Sequence, residues 1–116
     1  MEHPPFDVFS ARCPSRAAFE HVTGKWGALT LGALRDGPLR FAALRRAVDG
    51  ISDRMLSQTL SRFEEDGLVH REDRHTNPPH VEYSLTPAGR EVADQVLALV
   101  RTLEAVMPAV MSARSA

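Results

Sequence analysis

Cysteine is almost absent from this chain of 116 residues, which has a single one, Cys13. One thiol cannot form a disulfide within the chain, and it is too few for a structural zinc site. The histidines show none of the spacings of zinc ligands; they are His3, His21, His70, His75 and His80. We therefore expect no metal, no cofactor, and a reducing, cytoplasmic location.

An excess of charge is also missing, since 14 basic and 15 acidic residues give a formal net charge of −1. A nucleic-acid-binding protein of this composition must depend on a local basic patch. No apolar run approaches the length of a membrane span and the start of the chain has no signal-peptide pattern, so we expect no membrane partner. No nucleophile, base and orienting group form a recognisable arrangement, and we expect no enzyme.

The chain has the length of one small domain, and its 43% of hydrophobic residues are enough to form a core. The first residues contain two prolines and no periodicity, which indicates an extended arm. We divide the chain into an N-terminal arm (1–14), a domain with dimerisation helices (15–107) and a C-terminal tail (108–116). Pro108 is expected to kink or end the last helix.

The stretch from Ile51 to Gly67 carries the clearest helix signal. Ser52 is a good N-cap, and Gly67 supplies the left-handed residue that ends a helix. One face is mainly apolar: Met55, Leu56, Thr59, Leu60 and Phe63. The other face is polar: Arg54, Ser57, Gln58, Ser61, Arg62 and Glu65. Arginine, glutamine and serine carry the donors and acceptors that read base edges, so we predict a DNA recognition helix.

The elements around this helix predict an α+β winged helix-turn-helix with extra helices at both ends. Phe41 to Val48 forms the preceding helix, and Asp49-Gly50 makes the turn between the two. Two strands, 68–72 and 81–85, are joined by a loop with two prolines and predict a wing. Two earlier helices are expected, at 15–22 with Ser15 as its cap and at 25–35 with Trp26 in the core.

The last helix begins with Thr86 as a cap and Pro87 at its first position. Its apolar residues repeat mostly at steps of three and four: Val92, Val96, Leu99, Val100, Leu103, Val106 and Met107. This stripe is longer than the small body can cover, which indicates a helix–helix dimer interface.

The chain resembles the HxlR-type bacterial transcriptional regulators, a winged-helix group related to the MarR regulators. The resemblance lies in an ordered set of motifs: Cys13-Pro14, Gly24-Lys25-Trp26, Asp36-Gly37-Pro38, Arg40-Phe41, Gly50-Ile51-Ser52, Met55-Leu56, Glu65-Asp66-Gly67-Leu68-Val69, Pro78-Pro79, Val81-Glu82-Tyr83-Ser84-Leu85-Thr86 and Gly89. It implies a homodimer through the first and last helices that binds double-stranded operator DNA. His80 stands where the family usually has a fixed positive charge, which implies a weaker or pH-sensitive wing contact.

The candidate DNA-binding residues fall into three groups. At the start and outer face of the recognition helix, those expected to meet the bases or lie beside them are Ser52, Arg54, Ser57, Gln58 and Ser61. Those placed for phosphates are Arg40, Arg45, Arg46 and Arg62. Those of the wing are Arg71, Arg74, His75 and His80. A dimer would read a near-palindrome with recognition helices about 34 Å apart or a multiple of that, more commonly as a repressor.

Cys13 precedes the first helix and is flanked by Arg12 and Arg16, which would lower the pKa of its thiol. Some members of the family it resembles sense oxidants or electrophiles with a cysteine here. The alternative is a small buried residue near the dimer interface. Two further questions stay open. The fold could be a winged-helix protein-interaction module without specific DNA binding, and an unknown small-molecule effector could lie between the first, second and last helices.

Overall fold

The computed structural model describes residues 5–116, so His3 lies outside the described residues. Five helices and one two-stranded antiparallel sheet make the α+β winged helix-turn-helix that the sequence predicts. The elements are α1 (Pro14–Thr23), α2 (Gly27–Ala33), α3 (Phe41–Ala47), α4 (Asp53–Glu65), β1 (Val69–Asp73), β2 (Val81–Leu85) and α5 (Pro87–Arg114).

The core gathers around α2, which packs against α1, α3, α4 and α5. Its Leu31 meets the inner face of α4, where Leu56, Leu60 and Phe63 are buried. Met55 is half-buried at the edge of this face. Trp26 packs against the core from the start of α2, as predicted. The one-sided burial of α4 fixes which of its faces is left for solvent or a partner.

The ends of α4 and the start of α5 confirm the predicted caps. Ser52 Oγ accepts the backbone N–H of Met55 at 3.1 Å, and Gly67 has a φ of 72°. Thr86 Oγ1 accepts the N–H of Gly89 at 3.0 Å and donates to the carbonyl of Gly67 at 2.6 Å. The Thr86 side chain therefore joins the end of the recognition helix to the beginning of α5.

The wing is the β1–β2 hairpin, with Val69 opposite Leu85 and Asp73 opposite Val81. β1 begins one residue later than predicted. Leu39 forms an isolated bridge to Tyr83, with backbone hydrogen bonds of 2.9 and 2.8 Å. This bridge attaches the segment before α3 to the wing.

The N-terminal segment differs from the predicted extended arm. Residues 7–13 fold into turns, in which Ser10 N bonds Asp7 O and Cys13 N bonds Ser10 O, each at 3.1 Å. The guanidinium of Arg16 donates to the carbonyls of Val8 and Phe9 at 2.7 and 2.9 Å, which holds the turns against α1. The predicted cap at Ser15 is also wrong, because α1 begins at Pro14 with Cys13 in the N-cap position.

The C-terminal helix is longer than predicted. Pro108 lies inside α5, which continues to Arg114, so the proline does not end the helix and the predicted tail is largely helical. A proline removes one backbone N–H, and the Glu104 carbonyl that loses its partner belongs to an exposed residue that water can reach.

The apolar content of α5 also corrects an expectation. One 18-residue window of this helix has a mean hydropathy of 1.6, so by length and composition α5 could cross a membrane. The expectation that no stretch approaches this length was therefore wrong, because alanines and scattered aliphatic residues raise the mean. One such helix is weak evidence for a membrane. Its exposed apolar side chains are Leu99, Leu103, Val106 and Met111.

Replacing Gly89 with alanine is expected to lower the free energy of unfolding by about 2–3 kcal/mol. The new Cβ would overlap the carbonyl oxygen of Leu68 and stand 2.9 Å from its carbonyl carbon, which is backbone and cannot rotate away. Gly32→Ala in α2 is the matched control, because the nearest atoms to its Cβ would be side-chain carbons of Leu97 at 3.4 Å and Val96 at 3.9 Å.

Alanine is the better helix former by about 1 kcal/mol, so the control is expected to be neutral or stabilising. Urea unfolding of both variants measures the difference. Equal midpoints for the two variants would contradict the close approach of Gly89 to the carbonyl group of Leu68, the residue before β1.

Candidate nucleic-acid interface

The outer face of α4 is an uninterrupted polar surface. Its side chains are all exposed, as the helical period predicts: Arg54, Ser57, Gln58, Ser61 and Arg62. Within residues 5–116, neither Arg54 nor Arg62 forms an ion pair, so both guanidinium groups keep their donors for a partner. Ser52 differs from these residues, because its hydroxyl oxygen is already used as the helix cap.

Two arginines of the helix-turn-helix are in different situations. Arg45 Nη1 lies 2.8 Å from Asp53 Oδ1, so its charge is partly used to hold α3 against the start of α4. Arg46 has no carboxylate partner in the described part of the chain and is exposed. The sequence gives the two arginines the same expected role at phosphates, whereas in the fold Arg45 is paired with Asp53 and Arg46 is the freer cation.

A cleft of about 700 Å³ separates the start of α3 from the beginning of β2, next to the loop of the wing. Arg40 and Arg46 line it, and Glu82 is the single carboxylate in its wall. Arg40 Nη2 also lies 3.4 Å from the carbonyl oxygen of Pro79, a long contact that leaves most of its donors free. Two cations beside an exposed helix face form a suitable slot for a phosphate.

The basic residues of the wing are opposed by carboxylates that the sequence analysis did not consider. Arg71 and His75 lie 4.0 and 3.7 Å from Asp73. Arg74 and His80 lie 3.1 and 2.8 Å from Glu82. Three of these pairs join residues two positions apart, and the fourth, Arg74 with Glu82, joins residues eight apart that the hairpin brings together. The short spacings are a sequence signal that could have paired the charges in advance.

Glu82 shows the effect of this arrangement. The hydrogen bond from His80 is the main cause that holds the pKa of its carboxyl below the usual range, and the charge of Arg74 acts in the same direction. The carboxylate therefore stays ionised through the neutral range and offsets the nearby positive charge. The wing is less basic than its arginines and histidines suggest.

An acidic run, Glu64-Glu65-Asp66, forms the carboxyl end of α4, at the opposite end of the helix from the Ser52 cap. Glu64 and Glu65 are exposed. Asp66 Oδ2 lies 2.6 Å from His21 Nδ1, which ties the end of α4 to α1. This pair joins residues 45 positions apart, and no local pattern indicates it.

Cys13 is partly exposed and its thiol is surrounded by hydrogen-bond donors. Ser15 Oγ lies 3.1 Å from the sulfur and the backbone nitrogen of Asp7 lies 3.3 Å from it. These bonds, with that of Ser15 the largest, lower the pKa of the Cys13 thiol, and the charge of Asp7 opposes them. The predicted cause was wrong, because Arg16 is engaged with backbone carbonyls instead.

No group of three or more histidine, cysteine, aspartate or glutamate side chains that could hold a metal occurs in residues 5–116.

Comparisons with known proteins agree with this architecture. The family model described as HxlR-like helix-turn-helix matches residues 21–111. The uncharacterised HTH-type transcriptional regulator YtfH of Escherichia coli (strain K12) is 46% identical over 108 residues, which are 93% of this chain and 86% of that protein.

Solved structures show the same likeness in three dimensions. That of the transcriptional regulator ytfH from Salmonella typhimurium superimposes with a TM-score of 0.88 at 47% identity, covering 96% of this chain and 99% of that one. That of the redox regulator HypR in its oxidised form gives a TM-score of 0.73 at 40% identity, covering 80% and 96%. Two of these relatives are named as transcriptional regulators, and the third is named as a redox regulator. The chain belongs to the HxlR-like helix-turn-helix family of transcriptional regulators.

Proposed function

We propose that this protein is a cytoplasmic homodimer that binds a near-palindromic operator in duplex DNA and acts as a repressor. The observation that carries the proposal is the exposed outer face of α4, whose inner face is buried in the core. In a winged helix-turn-helix such a helix enters the major groove. A small dimer bound over an operator acts most simply by excluding the polymerase.

The contacts divide by chemistry. Arg54 can donate two hydrogen bonds to a guanine, and Gln58 can pair with an adenine. Ser57 and Ser61 lie on the same exposed face and add hydroxyl groups. The phosphate contacts are assigned to Arg40, Arg46 and Arg62, whereas Arg45 contributes less because Asp53 already neutralises it. The wing contributes weakly because Asp73 and Glu82 lie beside its basic side chains.

The dimer is assigned to α1 and α5. Leu99, Leu103 and Val106 are 66%, 52% and 46% exposed and recur on one stripe of α5. A largely apolar groove of about 390 Å³ between the two helices continues this stripe, and Phe19 and Val22 of α1 line it. A second copy of the chain would cover both, since an isolated chain would leave an unusually large apolar surface in water.

A redox response through Cys13 is the second part of the proposal. The hydrogen bonds to its sulfur favour the thiolate, which is the form that oxidants and electrophiles attack. The likeness to HypR, a redox regulator, supports it. With a single cysteine, the response would require a disulfide between subunits, a mixed disulfide with a small thiol, or a direct adduct.

Fluorescence anisotropy against labelled DNA from upstream of the gene tests operator binding. We expect saturable binding that survives an excess of unrelated DNA and weakens steeply as salt increases. The rival function is a winged-helix module whose α4 face binds a protein. Absence of any binding to DNA at low salt would favour that rival.

Arg54→Ala is expected to weaken binding to the operator roughly 5–150-fold, because a bidentate base contact is worth about 1–3 kcal/mol. Binding to unrelated DNA should change little. Arg46→Ala is expected to weaken both alike and to reduce the slope of log affinity against log salt by about one. Arg101→Ala on α5 is the control for loss of a surface charge. Equal losses on operator and unrelated DNA for Arg54→Ala would contradict its role in reading bases.

Leu99→Glu is expected to convert the dimer into a monomer, because the carboxylate would be buried without a partner at the proposed interface. Light scattering measures the mass, and anisotropy should show the loss of operator affinity that follows. Arg101→Glu inserts the same side chain two residues further on, about 200° around the helix, and should leave the dimer intact. A dimeric Leu99→Glu protein would show that this face is not the interface.

Ser15→Ala is expected to raise the pKa of the Cys13 thiol toward its ordinary value of 9.0, because the largest stabilising hydrogen bond is lost. At neutral pH the thiolate fraction falls, so alkylation by iodoacetamide slows and its pH midpoint moves upward. Ser10→Ala is the control, because no hydrogen bond joins its hydroxyl to the sulfur. If oxidation still abolishes DNA binding in Cys13→Ser, the sensing role is lost.

A further inference from the structure

A second cleft, of about 510 Å³, lies on the flank of the recognition helix. It is bounded by the end of α1, the turn before α2 and one side of α4, and so differs from the effector position expected between the first, second and last helices. Its lining includes His21, Lys25, Trp26, Met55, Thr59 and Arg62. The DNA-reading face of α4 and the dimer groove do not use this cleft, except for Arg62.

The charges in the cleft favour an anion. Within residues 5–116, Lys25 and Arg62 have no carboxylate partner. Asp66, the nearest acid to His21, is occupied by it at 2.6 Å. Glu20 is the one carboxylate in the lining, and its nearest cation is Arg16 at 4.0 Å. The lining therefore has two cations without a carboxylate partner and one exposed carboxylate, so its charge balance is positive.

One side of the cleft is lined by apolar side chains. Trp26 supplies an indole ring, with Lys25 Nζ 5.0 Å from its centre. Half-buried Met55 continues this apolar side, and Phe63 and Thr59 behind it are buried in the core. The far edge of the indole reaches the turn before α4, because a Cβ on Gly50 would stand 3.6 Å from Trp26 Cη2. The ring therefore lines the cleft and also packs near the turn that precedes the recognition helix.

We propose that this cleft binds a small organic acid, with its anionic group between Lys25 and Arg62 and its apolar body along Trp26, and that the bound acid releases DNA. Pockets of this size hold small molecules, and paired cations above an aromatic wall match an acid with an apolar body. Arg62 is shared, since the proposed function assigns it to a phosphate. The release of DNA rests on that proposed function, whereas the binding of the acid does not.

The test uses benzoate as the probe and benzamide as its uncharged match, at constant ionic strength. Trp26 is the single tryptophan, so its fluorescence reports on this cleft directly. We expect saturable quenching by benzoate with a dissociation constant on the order of 1 mM, and no saturable change with benzamide. The double variant Lys25→Gln/Arg62→Gln should bind benzoate at least about tenfold more weakly. Arg101→Gln/Arg114→Gln removes two charges elsewhere and should match the wild type.

Anisotropy with operator DNA supplies the second readout, in which benzoate and not benzamide should weaken binding. Absence of saturable quenching by benzoate, or equal affinity in the Lys25/Arg62 variant, overturns the proposal. If that variant loses only DNA affinity and wild type ignores benzoate, the cations serve a DNA phosphate and the acid site is refuted. Failure of the wild type to bind DNA without benzoate overturns the proposed function instead, and the fluorescence titration still decides the site.

Discussion

The one-sided burial of α4 is the constraint on which the rest of the structure depends. Leu56, Leu60 and Phe63 are buried against α2, and each contributes about 1.5–3 kcal/mol. Their sum is comparable to the whole stability of a small domain, about 5–15 kcal/mol, so the helix cannot rotate about its axis without unfolding the core. The polar residues between them are therefore presented to solvent in a fixed orientation, which reading a DNA groove requires.

Two different clefts lie near α4. On one side, α3 and the wing enclose a cleft with Arg40 and Arg46. On the other, α1 approaches through the His21–Asp66 pair and leaves the cleft that contains Lys25, Trp26 and Arg62. The helix that carries Cys13 at its start thus touches the recognition helix at its end.

Much of the fold could be predicted because its signals are local. The burial pattern of α4 follows from its period, and its ends follow from Ser52 and Gly67. The start of α5 follows from Thr86 and Pro87. The errors occur where local signals compete with contacts elsewhere. The arm was expected to be extended because its prolines suggest this, whereas residues 7–13 fold into turns that two hydrogen bonds from Arg16 hold against α1.

By itself the sequence determined the helical periods, the caps, the hairpin and the family, since each depends on residues a few positions apart or on an ordered set of motifs. Only the tertiary structure decided which cations remain free. Arg45 pairs with Asp53, and the basic side chains of the wing pair with Asp73 and Glu82. In contrast, Arg46, Arg54 and Arg62 have no ion-pair partner among the described residues. The physical reason is distance, because an ion pair or a hydrogen bond to a thiol forms only where packing brings the two groups within about 3–4 Å.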